Sequence, residues 1–229
     1  MAERRTFAVL REHEVAGLLD EAGDSAAGLR MAALVATLYH ACPRLGVALG
    51  MEAEDVDLTA ARMRLRGRRD WEVPLREAPL ARLSRWLACR AAYDLGPGPL
   101  FCTFDGTRLD DSYVRRELGA LGRRAGIPAP VSAEALRRAG VARLIAEGVG
   151  DERLQQRLDH GRAVVTARYR RRIERASAVS PHDRGARRRV LEAAARERAR
   201  SHHLIDEAGR IISSGPTHPV RDDDDGLST

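Results

Sequence analysis

Lysine is missing from this sequence: all 39 basic residues are arginine. No lysine amine can therefore give up a proton near neutral pH, and arginine, with a pKa above about 12, is a poor acid. Aromatic residues make up only 4% of the chain, so aliphatic side chains must fill its core. The three cysteines, Cys42, Cys89 and Cys102, are widely spaced and odd in number. That suggests neither a disulfide framework nor a metal-ligand cluster, and they read as small buried hydrophobes. No apolar run is long enough to span a bilayer, and no N-terminal signal segment is read, so the expected setting is cytoplasmic. No internal repeat is visible.

What is present points elsewhere. At 229 residues and 44% hydrophobic content, the chain suits one medium domain plus a tail, or two small domains. The formal charge is +6 and the sequence pI about 10.0. An arginine surplus favours partners that carry phosphate, because the guanidinium fork donates two hydrogen bonds to one phosphate. The expected partner is nucleic acid.

Apolar spacing places a helix over Glu12 to Ala22 and a longer one, capped by Ser25, to about Ala41. Pro43 ends it, and Arg44 opens a shorter helix at the corner. Two strands, Met63 to Gly67 and Glu72 to Leu75, flank an arginine-rich turn over Arg66 to Asp70. Helices follow over Glu77 to Tyr93, Asp111 to Arg124, and Ala133 to Glu147 with Ser132 as cap and Gly148 as stop. Glu134 and Arg137 lie three apart and share one face of that helix. A short helix, Asp151 to Leu158, leads to His160. Tyr169 follows nine positions later (169 − 160) and begins or precedes a basic helix over Arg170 to Arg175. The fold class is mainly α with a small antiparallel β-sheet.

Arg44, the basic hairpin, Glu134 with Arg137, His160 and Tyr169, in this order and at these separations, resemble the catalytic domain of tyrosine recombinases, the phage integrase family. The resemblance runs from about Glu12 to Ser177. It implies an integrase-like domain over 8–177, followed by a linker and arginine-rich helix over 178–212 and a disordered acidic tail over 213–229. The pattern starts within the first dozen residues, so the helical DNA-binding domain that commonly precedes it in the family is expected to be missing. The family's His-x-x-Arg motif finds Arg137 in its second slot and Glu134 in place of the histidine. Its Leu-Gly-His reads Leu158-Asp159-His160 here. The glutamate that usually follows the first arginine is replaced by Val47. In the turn where the family carries a catalytic lysine, Arg66 holds the matching place and Arg68 is the neighbouring candidate. A solvated basic turn touching a DNA backbone is the other reading.

The chemistry that the resemblance implies is attack of the Tyr169 hydroxyl on a phosphodiester, giving a covalent 3′-phosphotyrosyl intermediate. Arg44 and Arg137 would stabilise charge on the non-bridging oxygens, and His160 would donate a hydrogen bond or move a proton. Arg66 would neutralise charge at the leaving oxygen. Glu134 would either pair with an arginine or accept the tyrosine proton. Arg68, Arg69, Arg138 and Arg168 are candidate DNA contacts. No cofactor and no metal ion is required. The implied partner is double-stranded DNA, with self-association through the C-terminal segment. Three functional readings follow: a cleaving and rejoining recombinase, a relative that binds DNA without cutting it, and an unrelated basic helical protein.

Overall fold

The computed structural model describes Phe7 and residues 9–178. The expected linker, arginine-rich helix and acidic tail lie outside the described residues from position 179 onward. Eight α-helices are described among these residues: α1 Glu12–Ala22, α2 Ala26–His40, α3 Leu45–Leu49, α4 Glu77–Ala92, α5 Asp111–Arg124, α6 Ala133–Ala146, α7 Asp151–Arg157 and α8 Ala163–Ala178. Three strands, β1 Val56–Asp57, β2 Arg62–Arg66 and β3 Asp70–Pro74, form an antiparallel sheet in the order β1-β2-β3. The fold is mostly helical with a small sheet, as the hydrophobic periods imply.

The middle of the molecule is α2. Ser25 caps it by accepting the Gly28 N–H at 3.1 Å, and its residues from Met31 to Tyr39 are buried on all sides. A helix apolar all round has to be enclosed by others. Here α1, α4 and α6 pack against it. In the sheet, Met63, Leu65, Trp71 and Val73 point inward and the arginines between them point outward, the period-two pattern of a sheet with one wet face. The two-residue strand β1, paired Val56 to Met63, was not expected from the sequence.

Not all the arginine surplus faces solvent. Arg30 is buried and donates to the Cys102 carbonyl at 2.7 Å and to the Tyr113 hydroxyl at 2.9 Å. Arg90 is buried and donates to the carbonyls of Pro99 at 2.7 Å and Gly96 at 2.8 Å. These side chains tie loops to helices; a guanidinium offers five donors, enough to satisfy several loop carbonyls at once. The cysteines are free, with Cys42 and Cys102 buried and Cys89 partly so.

A second, smaller apolar cluster lies beneath the site. Cys42, Val141, Leu144, Leu154, Leu158 and Ile173 form it, and Phe7, Val9 and Tyr169 pack against it. It joins the end of α2, the back of α6, α7 and α8, and so fixes the elements that carry Arg137 and Tyr169.

Candidate active site

The close meeting of α2 and α6 sets the first part of the geometry. A Cβ on Gly140 would come within 2.0 Å of the Tyr39 carbonyl oxygen and 2.6 Å of the Cys42 sulfur. Only glycine lets the two helices approach this far. One helical turn earlier on α6, Arg137 is then brought against the corner after α2. Cys42 takes a left-handed φ of 58° there, and its carbonyl accepts the Arg137 Nε–H at 2.9 Å. Arg137 Nη2 donates to the Leu158 carbonyl at 2.8 Å. The side chain of Arg137 is only 7% exposed. Two fixed carbonyls thus set its guanidinium, while Nη1 faces Glu134 Oε2 at 3.6 Å.

Tyr169 reaches the same place from α8. That helix begins at Ala163, earlier than the basic run implied, so Tyr169 sits in its second turn instead of at its start. The Tyr169 hydroxyl donates to Glu134 Oε1 at 2.8 Å, and Glu134 Oε2 lies 3.6 Å from Arg137 Nη1. The Arg137 guanidinium carbon is 6.0 Å from the Tyr169 ring centroid. Burial, and then the charge and hydrogen bond of Glu134, hold the phenol above its ordinary pKa; Arg137 and Arg138 oppose this. The hydroxyl is protonated at neutral pH, so attack needs a proton acceptor.

His160 stands beside it. Its ring centroid is 5.8 Å from that of Tyr169 with the planes at 90°, and its Nδ1 is 3.0 Å from Thr166 Oγ1. Burial lowers its pKa below 6.5, with Arg137 and Arg44 adding to the effect. The shift favours the neutral imidazole, with its Nδ1 engaged by Thr166. Arg44, at the N-cap of α3, is exposed, and its charge is felt at His160.

The two hairpin arginines have different fates. Arg66 ends strand β2, and its guanidinium is bound by Asp55, at 3.1 Å from Nε and 2.7 Å from Nη2, with Glu54 at 3.4 Å. Its charge is paired with these carboxylates. Arg68 is at the tip. Its backbone N–H donates to Asp159 Oδ2 at 2.9 Å, and its guanidinium lies against Gly161, where an added Cβ would come within 2.4 Å of Nη1. Arg68 is thus the hairpin arginine beside His160. Asp159 holds a left-handed φ of 51°, a conformation that glycine adopts without strain and aspartate tolerates.

Of the candidate DNA contacts, Arg69 and Arg168 are exposed. Arg138 sits over the Phe7 ring at 4.6 Å, and its Nε is buried without a partner among the described residues. The sequence reading missed Arg171, Arg172 and Arg175, which with Arg168 line a groove of about 420 Å³ along α8. Their spacing of three and four was the available signal, since it places all four on one helical face. Burial raises the Cys42 thiol to about 11, so it supplies no thiolate nucleophile. Among the described residues, no group of three or more His, Cys, Asp or Glu could hold a metal ion, and no helix is long and apolar enough to cross a membrane.

Comparison with known proteins gives the family and the fold. The sequence model of the phage integrase family matches residues 8–175. Tyrosine recombinase XerC of Rhodospirillum centenum is 32% identical over 150 residues, 62% of this chain and 42% of that protein. Tyrosine recombinase XerD of Mycobacterium tuberculosis is 30% identical over 178 residues, 72% of this chain and 57% of that protein. The chain spans about half the length of the curated relatives it matches. The crystal structure of XerA recombinase superposes with a TM-score of 0.65 at 25% identity, covering 84% of this chain and 65% of that one. The structure of XerH recombinase bound to difH substrate in a pre-cleavage complex shares the fold, with a TM-score of 0.60 at 20% identity over 75% of this chain and 53% of that one.

Proposed function

The chain belongs to the phage integrase family, and from that premise we propose that it cleaves and rejoins DNA strands through a 3′-phosphotyrosyl intermediate on Tyr169, in site-specific recombination or DNA integration. The observation that carries this reading is the convergence of Tyr169 from α8, His160 from the α7–α8 loop and Arg137 from α6, within 6.0 Å of the tyrosine ring. A phosphodiester seated between Arg44 and Arg137 receives charge-assisted hydrogen bonds on its non-bridging oxygens, where charge grows in the transition state. His160, neutral, donates one more. The Tyr169 oxygen bonds to phosphorus and the 5′-oxygen leaves. A free 5′-hydroxyl later reverses the step, and the ester bond conserves the energy between the two. Arg68, the neighbouring candidate to Arg66 in the turn where the family carries a lysine, lies beside His160 and offsets charge at the leaving oxygen; as an arginine it supplies charge and not a proton, which solvent water provides.

The grip on duplex DNA is assigned to Arg68, Arg69, Arg138 and Arg168, joined by Arg171, Arg172 and Arg175 on the same helix as the nucleophile. Arg168 to Arg175 extends about 10 Å along the helix axis, enough for more than one phosphate of a strand. Pairing of copies on the DNA, through the segment beyond residue 178, and a cytoplasmic setting belong to the same proposal.

The test is capture. Native protein incubated with nicked duplexes of randomised sequence is expected to give a covalent adduct that survives denaturing electrophoresis, and Tyr169→Phe to give none while still binding duplex. Duplex binding by the native protein with no adduct on any sequence would leave a DNA-binding relative without cleavage.

A further inference from the structure

The tyrosine needs somewhere to send its proton, and the structure offers one acceptor in contact. We propose that the Glu134 carboxylate is the base that takes the Tyr169 proton during strand cleavage and returns it during rejoining. The proposal rests on the recombinase reading above and adds the proton's path to it. Glu134 occupies the first slot of the His-x-x-Arg motif, so a carboxylate does here what its position permits and its geometry already prepares.

Three observations support the assignment. The hydroxyl already donates to Oε1 at 2.8 Å, a distance over which a proton passes with no group moved. The hydroxyl bonds Glu134 and not His160, whose ring meets Tyr169 edge to face and whose Nδ1 is engaged by Thr166. The charge beside Glu134 is also balanced. Its other oxygen lies 3.6 Å from Arg137 Nη1, and Arg138 on α6 and Arg44 at the start of α3 add positive charge around the site. A lone carboxylate about 4 Å from a phosphate would cost roughly 4 kcal/mol at an effective dielectric of about 20. Flanked by these guanidinium groups, it faces the phosphate as part of a net positive surface.

The step balances without a further reagent. The Tyr169 O–H bond breaks and its proton joins Glu134; the phenolic oxygen bonds to phosphorus; the bond from phosphorus to the 5′-oxygen breaks, and that oxygen takes a proton from water. At rest the phenol holds its proton firmly, owing to burial and to Glu134 itself. As the bond to phosphorus forms, the phenolic oxygen loses basicity and the proton moves to the carboxylate. The charged and titratable groups facing this pair are Arg137 and Arg138 on α6, Arg44 at α3, and His160 and Asp159 in the loop, and burial lowers the pKa of His160. Because it is present in every variant below, a change in the pH profile between them belongs to position 134.

The experiment is single-turnover adduct formation as a function of pH, with the full chain and a captured duplex, for native, Glu134→Gln and Glu134→His proteins. Glutamine keeps an acceptor oxygen but cannot take the proton. Cleavage is expected to fall by about 10²- to 10³-fold while duplex affinity holds or tightens. Histidine is expected to restore cleavage to within about ten-fold, with the acid limb of its profile moved up toward roughly pH 6.5. Glu134→Gln cleaving as fast as native would overturn the proposal and leave Glu134 as a carboxylate that merely restrains the tyrosine. A native protein with no adduct overturns the parent reading as well, so the two failures differ. Position 134 is half exposed, and thermal melts of each variant confirm that folding is unchanged.

Discussion

Asp159 accepts the backbone N–H of Arg68 through Oδ2 at 2.9 Å, across 91 residues of sequence. This bond fastens the tip of the β2–β3 hairpin to the loop that carries His160. The Leu-Gly-His of the family has glycine at this position, which suits the left-handed backbone but brings no side chain. Aspartate accepts the same φ of 51° and adds a latch.

Asp159→Gly should therefore separate two effects. The backbone conformation is eased, so the melting temperature is expected to hold or rise slightly, while Arg68 loses its anchor. Adduct formation is expected to drop by roughly ten-fold with little change in duplex affinity, and Asp159→Asn, which keeps an acceptor oxygen, to recover most of it. Equal cleavage by the glycine variant would show that the hairpin tip needs no fastening.

Arg137 is a structural as well as a chemical residue. Its buried bonds to the Cys42 and Leu158 carbonyls are charge-assisted, each worth about 1.5–3 kcal/mol. Arg137→Ala leaves both carbonyls without their donor, and a loss of about 3 kcal/mol or more in denaturant unfolding is expected. Arg137→Lys keeps the charge but not the fork, so cleavage is expected to fall by at least about 10²-fold even where folding survives. A lysine variant that cleaved normally would remove the two-point grip from the mechanism.

The arginine face of α8 predicts a salt dependence. Taking away one arginine that neutralises a phosphate reduces the slope of log affinity against log salt by about 0.9. Arg171→Ala with Arg175→Ala should lower the slope by roughly 1.8 and weaken binding alike on all sequences. A slope unchanged by both substitutions would move the DNA off this helix.

Acid sensitivity of the fold should originate in large part at His40. Burial first, then the nearby guanidinium groups of Arg143, Arg76 and Arg157, pull its pKa from 6.5 down to about 3. A histidine lowered in the fold favours the neutral form. Its contribution is whole above pH 6.5 and is lost as pH falls through the window down to about 3, because the unfolded chain binds the proton first. The expected loss by about pH 4 is on the order of 3 kcal/mol. His40→Gln, followed by chemical denaturation from pH 7 to 4, should flatten that slope, and an unchanged slope would place the acid sensitivity elsewhere.

Much of the fold was legible because it is local. Apolar residues at helical spacing marked α1, α2, α4, α5 and α6, and Ser25 and Ser132 cap their helices by accepting from Gly28 and Ala135 as their positions implied. The two-residue strand β1 was not legible, since two residues carry no period. Arg30 and Arg90 were invisible as interior residues, because nothing in the sequence shows which loop carbonyls will come near a guanidinium.

The sequence by itself determined the helical periods, the arginine-only basic chemistry, and the order in which Arg44, Glu134, Arg137, His160 and Tyr169 occur. These depend on backbone geometry and residue type, which act over a few neighbours. Only the tertiary structure decided that Tyr169 gives its hydrogen bond to Glu134, that Arg66 is drawn to Asp55, and that Arg68 lies over Gly161. Each of those outcomes depends on the distance between segments far apart in the chain. That distance is set by packing, above all by the approach of α2 and α6 that Gly140 allows.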